Sequence, residues 1–409
     1  MKYMQESGEH GEEEWGSMSL VGDMEIQASA VYISSLCMLS NNSIRVDLAC
    51  IFPSNLPTRR VSPISIFSVP AKHFLISSLT FSNLPNGIIS SDPDPAIQAH
   101  IIIQVETMST VNSLLPKGAW DTHIHVFDPE KFPYATPRSY TPKEAPVADY
   151  PVAVTGCTGL VVVHASMQGS SPAALVDTLN RQSSMPGFQL RGLATIDVDS
   201  ITDAELDALH AAGVRGARMH EMAWGHGEQK GGEQITKKIK VLASRLARLG
   251  WVIGVFCPLP AWAAMADMIR GLDPRVKIVA DHFGSTFPGD EKTEDFQTLL
   301  SLIREKRLFV KVSGFERLYH GNPAGIDSLE TTAKAVIETG PDQIMFGTDW
   351  PHTQLGVTRK GKTDEQRLNE IEGFREVDDL AHIKKLREWI TDDEIWQKLF
   401  ITNPQRIFE

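Results

Sequence analysis

From Gly118 to the C-terminus, eight short apolar runs alternate with segments of helical pattern. The runs are Ala119–Ile124, Gly159–His164, Leu190–Ile196, Val214–Met219, Trp251–Phe256, Val276–Ala280, Leu308–Val312 and Gln343–Phe346. Between them lie Pro172–Ser184, Thr202–Ala212, Gln234–Leu249, Leu259–Gly271, Thr293–Lys306 and Ala324–Thr339, and Asp379 to Phe400 supplies the last helices. Such strands, separated by helices, belong to a parallel sheet buried on both faces. Eight repeats in about 290 residues predict an α/β (β/α)8 TIM barrel, whose usual size is roughly 250 residues plus insertions. A doubly wound open sheet is the alternative, but it would favour a Gly-rich turn after the first strand, and none is present.

Residues 1–115 read differently. They are rich in Ser, Pro and Asn, without sustained periodicity, and short strands are expected only around Ile64–Val69 and His100–Val105. This part is expected to be an irregular or disordered extension, with residues 116–409 as the catalytic domain. The segment Met108-STVNSLLPKGAWDTHIH reads like a natural protein start, which makes the extension a candidate gene-model artefact.

The net charge of −12 argues against a nucleic-acid partner, while leaving room for local basic pockets that hold small anions. Cys37, Cys50, Cys157 and Cys257 form no CxxC, so neither a disulfide framework nor a cysteine zinc site is expected. The most apolar N-terminal stretch, Ile26 to Ile44, is too diluted by Ser and Asn to span a membrane, and Glu12 to Glu14 stand where a leader peptide would be basic. A cytoplasmic protein without membrane contact is expected.

In a TIM barrel the chemistry sits at the C-terminal ends of the strands. Here those ends carry His123 and His125, then His164 and Ser166, then Arg215, Arg218 and His220. Later come Asp281 and His282, Ser313 to Arg317, and Thr348, Asp349 and His352. Each has a bland reading. His123 or His125 alone fits a satisfied core histidine, and Asp349 before Trp350-Pro351 fits a helix cap. Their recurrence after nearly every strand predicts an enzyme.

With these residues in view, the chain resembles the amidohydrolase superfamily through the HxH of strand 1, the DHFG of strand 6 and the GTDWPH of strand 8. Within it, the branch of 2-pyrone-4,6-dicarboxylate lactonase is most similar, through HVFDPEKFPYATPRSYTP, VVVHASMQG, VRGARMH and KVSGFERL. The resemblance implies hydrolysis of a carboxylated lactone or similar cyclic ester. Asp349 would activate water, His123, His125 and His282 would polarise the carbonyl, and Arg218, Arg317, Tyr140 and Ser166 would bind substrate. Two other readings stay open: a mononuclear zinc hydrolase or decarboxylase with His123, His125 and Asp349 as ligands, and a lactone isomerase.

The branch is implied to work without metal, and strand 5 (WVIGVFCPLP) offers Cys257 but no histidine, so no cofactor is favoured. Trp224 stands near the place of a second arginine of the pyrone dicarboxylate lactonase, which favours a monoacidic or more aromatic substrate. The Gly-rich stretch His226–Gly232 is a candidate lid.

Overall fold

The computed structural model describes residues 32–40, 43–51, 114–220 and 230–409, with backbone alone for the first two segments and for 230–234. The expected strands near Ile64 and His100, the candidate start at Met108, and Trp224 lie outside the described residues. So does most of the candidate lid; Lys230–Gly232 open the helix Lys230–Leu246.

In the N-terminal part, Tyr32–Ser40 pairs antiparallel with Ser43–Ile51 in unbroken register from Tyr32↔Ile51 to Ser40↔Ser43. The apolar stretch around Ile26–Ile44 therefore contributes a strand, not a helix. Among the described residues no helix is long and apolar enough to cross a membrane.

The second part is a parallel eight-stranded barrel. Its strands, labelled here β1–β8, are Trp120–Ile124, Gly159–Val163, Gln189–Ala194, Val214–His220, Val252–Phe256, Lys277–Ala280, Leu308–Val312 and Ile344–Phe346, hydrogen-bonded in sequential order. All eight coincide with the apolar runs to within two residues. The helices also follow expectation, with Ala173–Asn180, Asp203–Ala211, Leu259–Gly271, Glu294–Arg304 and Glu330–Thr339 between strands. Local chemistry sets their starts: Thr202 accepts from the Glu205 amide while the Glu205 carboxylate takes the Thr202 amide, satisfying two otherwise orphaned donors.

The ring closes where the chemistry is expected. β8 is only three residues long, and the segment after it runs alongside β1. The Asp349 amide donates to His123 O (2.9 Å), and the His125 amide donates to Trp350 O (2.7 Å). Thr122 Oγ1 adds a bond to Phe346 O (2.7 Å). Asp121, fully buried, accepts from the Thr348 amide and hydroxyl and from Tyr150 Oη, tying β1 to the same segment.

A bulge aims the histidines. Trp120 packs in one cluster with Val161, Val163, Leu193, Val252, Val279, Phe309 and Met345, drawn from six other strands, and with Ile407 and Phe408. Ile124 packs instead with Leu160 and Val162 in the other, larger cluster. In a regular strand residues 120 and 124 would share a face. The register slips between Asp121 and Ile124, so three steps on β1 match two on β2. That extra residue changes parity and turns His123 and His125 to the interior side.

Candidate active site

His123 and His125 leave β1, His282 follows β6, and Asp349 follows β8 on the closing seam. The structure gathers all four: Nε2 of His125 lies 3.6 Å from Asp349 Oδ1, and those of His123 and His282 lie 3.7 Å from it. All are buried, Asp349 to 1% exposure. Asp349 caps no helix, since the backbone after it makes a turn.

Backbone strain accompanies this cluster. Asp349 (φ 71°), His282 (φ 51°), Phe283 (φ 52°) and His352 (φ 67°) occupy the left-handed region. Such conformations cost about 1–3 kcal/mol each for non-glycine residues and persist where the surroundings enforce them.

Each imidazole is held from behind through Nδ1. His125 Nδ1 donates to Val163 O (2.7 Å). His282 Nδ1 meets Ser313 Oγ (2.9 Å). His123 Nδ1 faces Lys311 Nζ (3.2 Å) and Asp281 Oδ1 (3.3 Å). Burial lowers the pKa of all three rings, that of His282 to about 4, so they are neutral at ordinary pH.

Burial alone would raise the Asp349 carboxyl, but the Arg317 guanidinium beside it holds it well below the usual carboxylate range. Arg317 Nε donates to Asp349 Oδ2, and its Nη2 bonds Thr353 Oγ1 (2.9 Å) and O (3.2 Å). The result is an anionic carboxylate with one oxygen fixed and the other, Oδ1, without a hydrogen-bond partner.

The four expected substrate-binding residues stand in four different situations. Arg317 is engaged with Asp349 and Thr353. Arg218, buried in β4, bonds His164 O through Nη1 (2.8 Å) and keeps an unpartnered Nε. Tyr140 is buried beneath Arg359, whose guanidinium centre lies 3.5 Å from the ring centroid, next to the short pairing of Thr141–Pro142 with Ile371–Glu372. Ser166 is exposed and begins the short 3-10 helix Ser166–Gln168 after β2.

Sequence reasoning passed over Lys311. It is the penultimate residue of β7, with no exposed surface, 3.1 Å from Asp281 Oδ1. The signal was available, because a lysine inside the apolar run LFVKV must be paired when buried. Asp281, one of the polar strand-end residues, is its fully buried partner. Arg375, which carried no periodic signal, forms an ion pair with Glu316 (2.6 Å) and reaches within 3.9 Å of Asp349 Oδ2. Cys257 is buried.

His123, His282 and Asp349 also form a group whose ligand atoms lie within 4.8 Å of one another. This differs from the expected zinc set, with His282 in place of His125. The buried, unpartnered His123 Nε2 and Asp349 Oδ1 fit a single cation.

Residues 120–409 match the amidohydrolase family, Amidohydro_2. The chain belongs to the amidohydrolase family. Its relatives include a 2-pyrone-4,6-dicarboxylate hydrolase of Comamonas testosteroni, 33% identical over 311 residues that span 72% of this chain and 91% of that protein. A 4-sulfomuconolactone hydrolase of Rhizobium radiobacter is 29% identical over 306 residues, covering 73% and 92%. A solved structure from Pseudomonas putida, provisionally described as a 2-pyrone-4,6-dicarboxylic acid hydrolase, superposes with a TM-score of 0.54 at 26% identity, covering 72% of this chain and 98% of that one. In this amidohydrolase the matched region holds all four residues of the central cluster.

Proposed function

We propose that this amidohydrolase hydrolyses a lactone, or similar cyclic ester, that carries a carboxylate. The observation that carries the reading is Asp349, ionised by Arg317 on one oxygen and open to the ring of imidazoles on the other. The names of the relatives support the same chemistry.

Asp349 Oδ1 takes a proton from water as the water oxygen bonds to the lactone carbonyl carbon. Positioning replaces basicity here, because a carboxylate of low pKa accepts the proton only as attack develops. His123, His125 and His282 surround the carbonyl, and those that carry their proton on Nε2 supply the preorganised donors that its developing charge needs. The ring C–O bond then breaks, and the proton held by Asp349 passes to the departing oxygen. Arg218 receives the substrate carboxylate with its planar fork, since Arg317 is committed to Asp349. Tyr140 and Ser166 complete the substrate-binding set, Ser166 from the exposed rim.

The buried His123–His282–Asp349 group supports a second reading, in which a divalent ion such as zinc is held by these three residues. When bound, it would polarise the carbonyl as a Lewis acid.

The test is a panel of lactones with and without a carboxylate, run in ¹⁸O-labelled water with protein stripped by chelator and analysed for metal. Ring-opened product carrying label, formed by the stripped protein, is the expected result. Activity lost on stripping and restored by zinc would replace the metal-free reading with the second. Isomerised product without label would replace hydrolysis with internal transfer.

A further inference from the structure

We propose that Lys311 is a positioning residue that makes His123 the histidine that donates a hydrogen bond into the pocket, and that His125 cannot fill that role. The proposal rests on the reading of this pocket as the reaction centre, but its test does not.

A neutral imidazole carries one proton, and the partner of one ring nitrogen decides which nitrogen holds it. His125 Nδ1 lies 2.7 Å from the Val163 carbonyl oxygen, which can only accept. His125 therefore holds its proton on Nδ1 and turns a lone pair toward Asp349 Oδ1, 3.6 Å away. A neutral His125 has no N–H to offer a substrate carbonyl.

His123 has two candidate partners. Lys311 Nζ lies 3.2 Å from its Nδ1 in hydrogen-bonding geometry. Asp281 Oδ1 lies 3.3 Å away, and neither Asp281 oxygen has a partner of hydrogen-bonding geometry. Asp281 is instead the counter-ion of Lys311 at 3.1 Å, and neither side chain has any exposed surface. An ammonium has donors and no acceptor. Facing one, His123 Nδ1 accepts, and the ring proton moves to Nε2.

That Nε2 is buried and without a partner, on the side of the ring that faces Asp349. It is a donor waiting for an acceptor, and a carbonyl oxygen arriving beside Asp349 would supply one. The same proton would obstruct a metal ion, which needs the Nε2 lone pair. The lysine in β7 thus weighs against metal binding and for hydrogen-bond catalysis.

His282 does not compete for this assignment. Its Nδ1 partner, Ser313 Oγ at 2.9 Å, both donates and accepts, and so leaves either tautomer open.

The experiment is nitrogen NMR on chelator-stripped protein labelled with ¹⁵N-histidine, with His123→Gln used only to assign the His123 signals. In the wild type, Nε2 is expected as the protonated, pyrrole-type nitrogen. In Lys311→Met the proton is expected on Nδ1, donated to Asp281. Because Lys311→Met leaves Asp281 buried and unpaired, Lys311→Arg, which keeps a cationic donor beside Asp281 and His123 Nδ1, gives a second route to a folded protein. There the proton is expected to stay on Nε2.

A wild-type protein with its His123 proton on Nδ1 overturns the proposal, whether or not either variant folds. So does a proton still on Nε2 in Lys311→Met, or one on Nδ1 in Lys311→Arg. If a lactone is turned over by the wild type, loss of this donor should lower kcat by about 10²–10³-fold, the range for one oxyanion donor, with KM little changed. If no lactone reacts, the tautomer measurement still decides the role of Lys311, and only the functional reading fails.

Discussion

Arg317 Nε donates to Asp349 Oδ2, and this single bond divides the carboxylate into a fixed oxygen and a working one. Replacing the guanidinium should therefore change the ionisation of Asp349 rather than only substrate affinity. In Arg317→Gln the opposing effect of burial is left uncompensated, so the Asp349 pKa rises. The acid limb of the kcat/KM profile should move to higher pH. An unchanged acid limb with a raised KM would mean that Arg317 serves the substrate instead.

Asp349→Asn should abolish turnover while leaving the fold intact. The backbone at residue 349 has φ 71°, and asparagine tolerates the left-handed region better than most residues. Loss of a general base costs about 10²–10⁴-fold. Steady-state kinetics beside circular dichroism would check this; an active variant removes Asp349 from the mechanism.

The eight strands were legible because each is a short apolar run bounded by turn chemistry, and because a parallel sheet buries both faces. The site was legible only as a set of strand ends. His123, His125, His282 and Asp349 do converge, but the bulge that turns the first two inward depends on pairing with β2, which no local pattern specifies. The engagement of Arg317 with Asp349 rather than with a substrate carboxylate was equally hidden, since a lone arginine fits either partner. Lys311 was readable as an oddity in an apolar strand. Its partner Asp281 follows β6, and only the pairing of β6 with β7 brings the two together.

Gly314 reports on the tolerance of the cluster. It has φ 64°, and a Cβ there would lie 2.6 Å from His282 Nδ1. Gly314→Ala should destabilise the protein by roughly 1–3 kcal/mol through backbone strain. It should also lower kcat, because displacement of a catalytic group by about 1 Å can cost 10²-fold. Thermal unfolding and kinetics measured together would separate the two effects. Full activity would show that His282 can shift without consequence.

Arg218 is buried in β4 with its Nε free of partners. Hydrogen bonds to charged groups contribute about 1.5–3 kcal/mol, so Arg218→Met should raise KM for a carboxylated lactone by about 10- to 100-fold. The corresponding methyl ester should show little difference between the two proteins. Equal losses on both substrates would place Arg218 in the scaffold rather than in recognition.

His352 lies behind the site, 3.1 Å from Asp379 Oδ2 and 3.7 Å from Glu316 Oε1. Burial works against its charged form, but the hydrogen bond to Asp379 and the nearby Glu316 carboxylate outweigh it and raise the pKa to about 10. An unfolded histidine titrates near about 6.5. The folded state therefore binds a proton that the unfolded state releases above that pH. The stabilisation is complete below pH about 6.5 and falls away as pH rises through about 10. In His352→Gln this contribution is absent at every pH. Urea unfolding across that range should show the wild type losing its advantage over the variant as the solution becomes alkaline. A constant difference between them would mean that His352 is neutral in the folded protein and acts through packing alone.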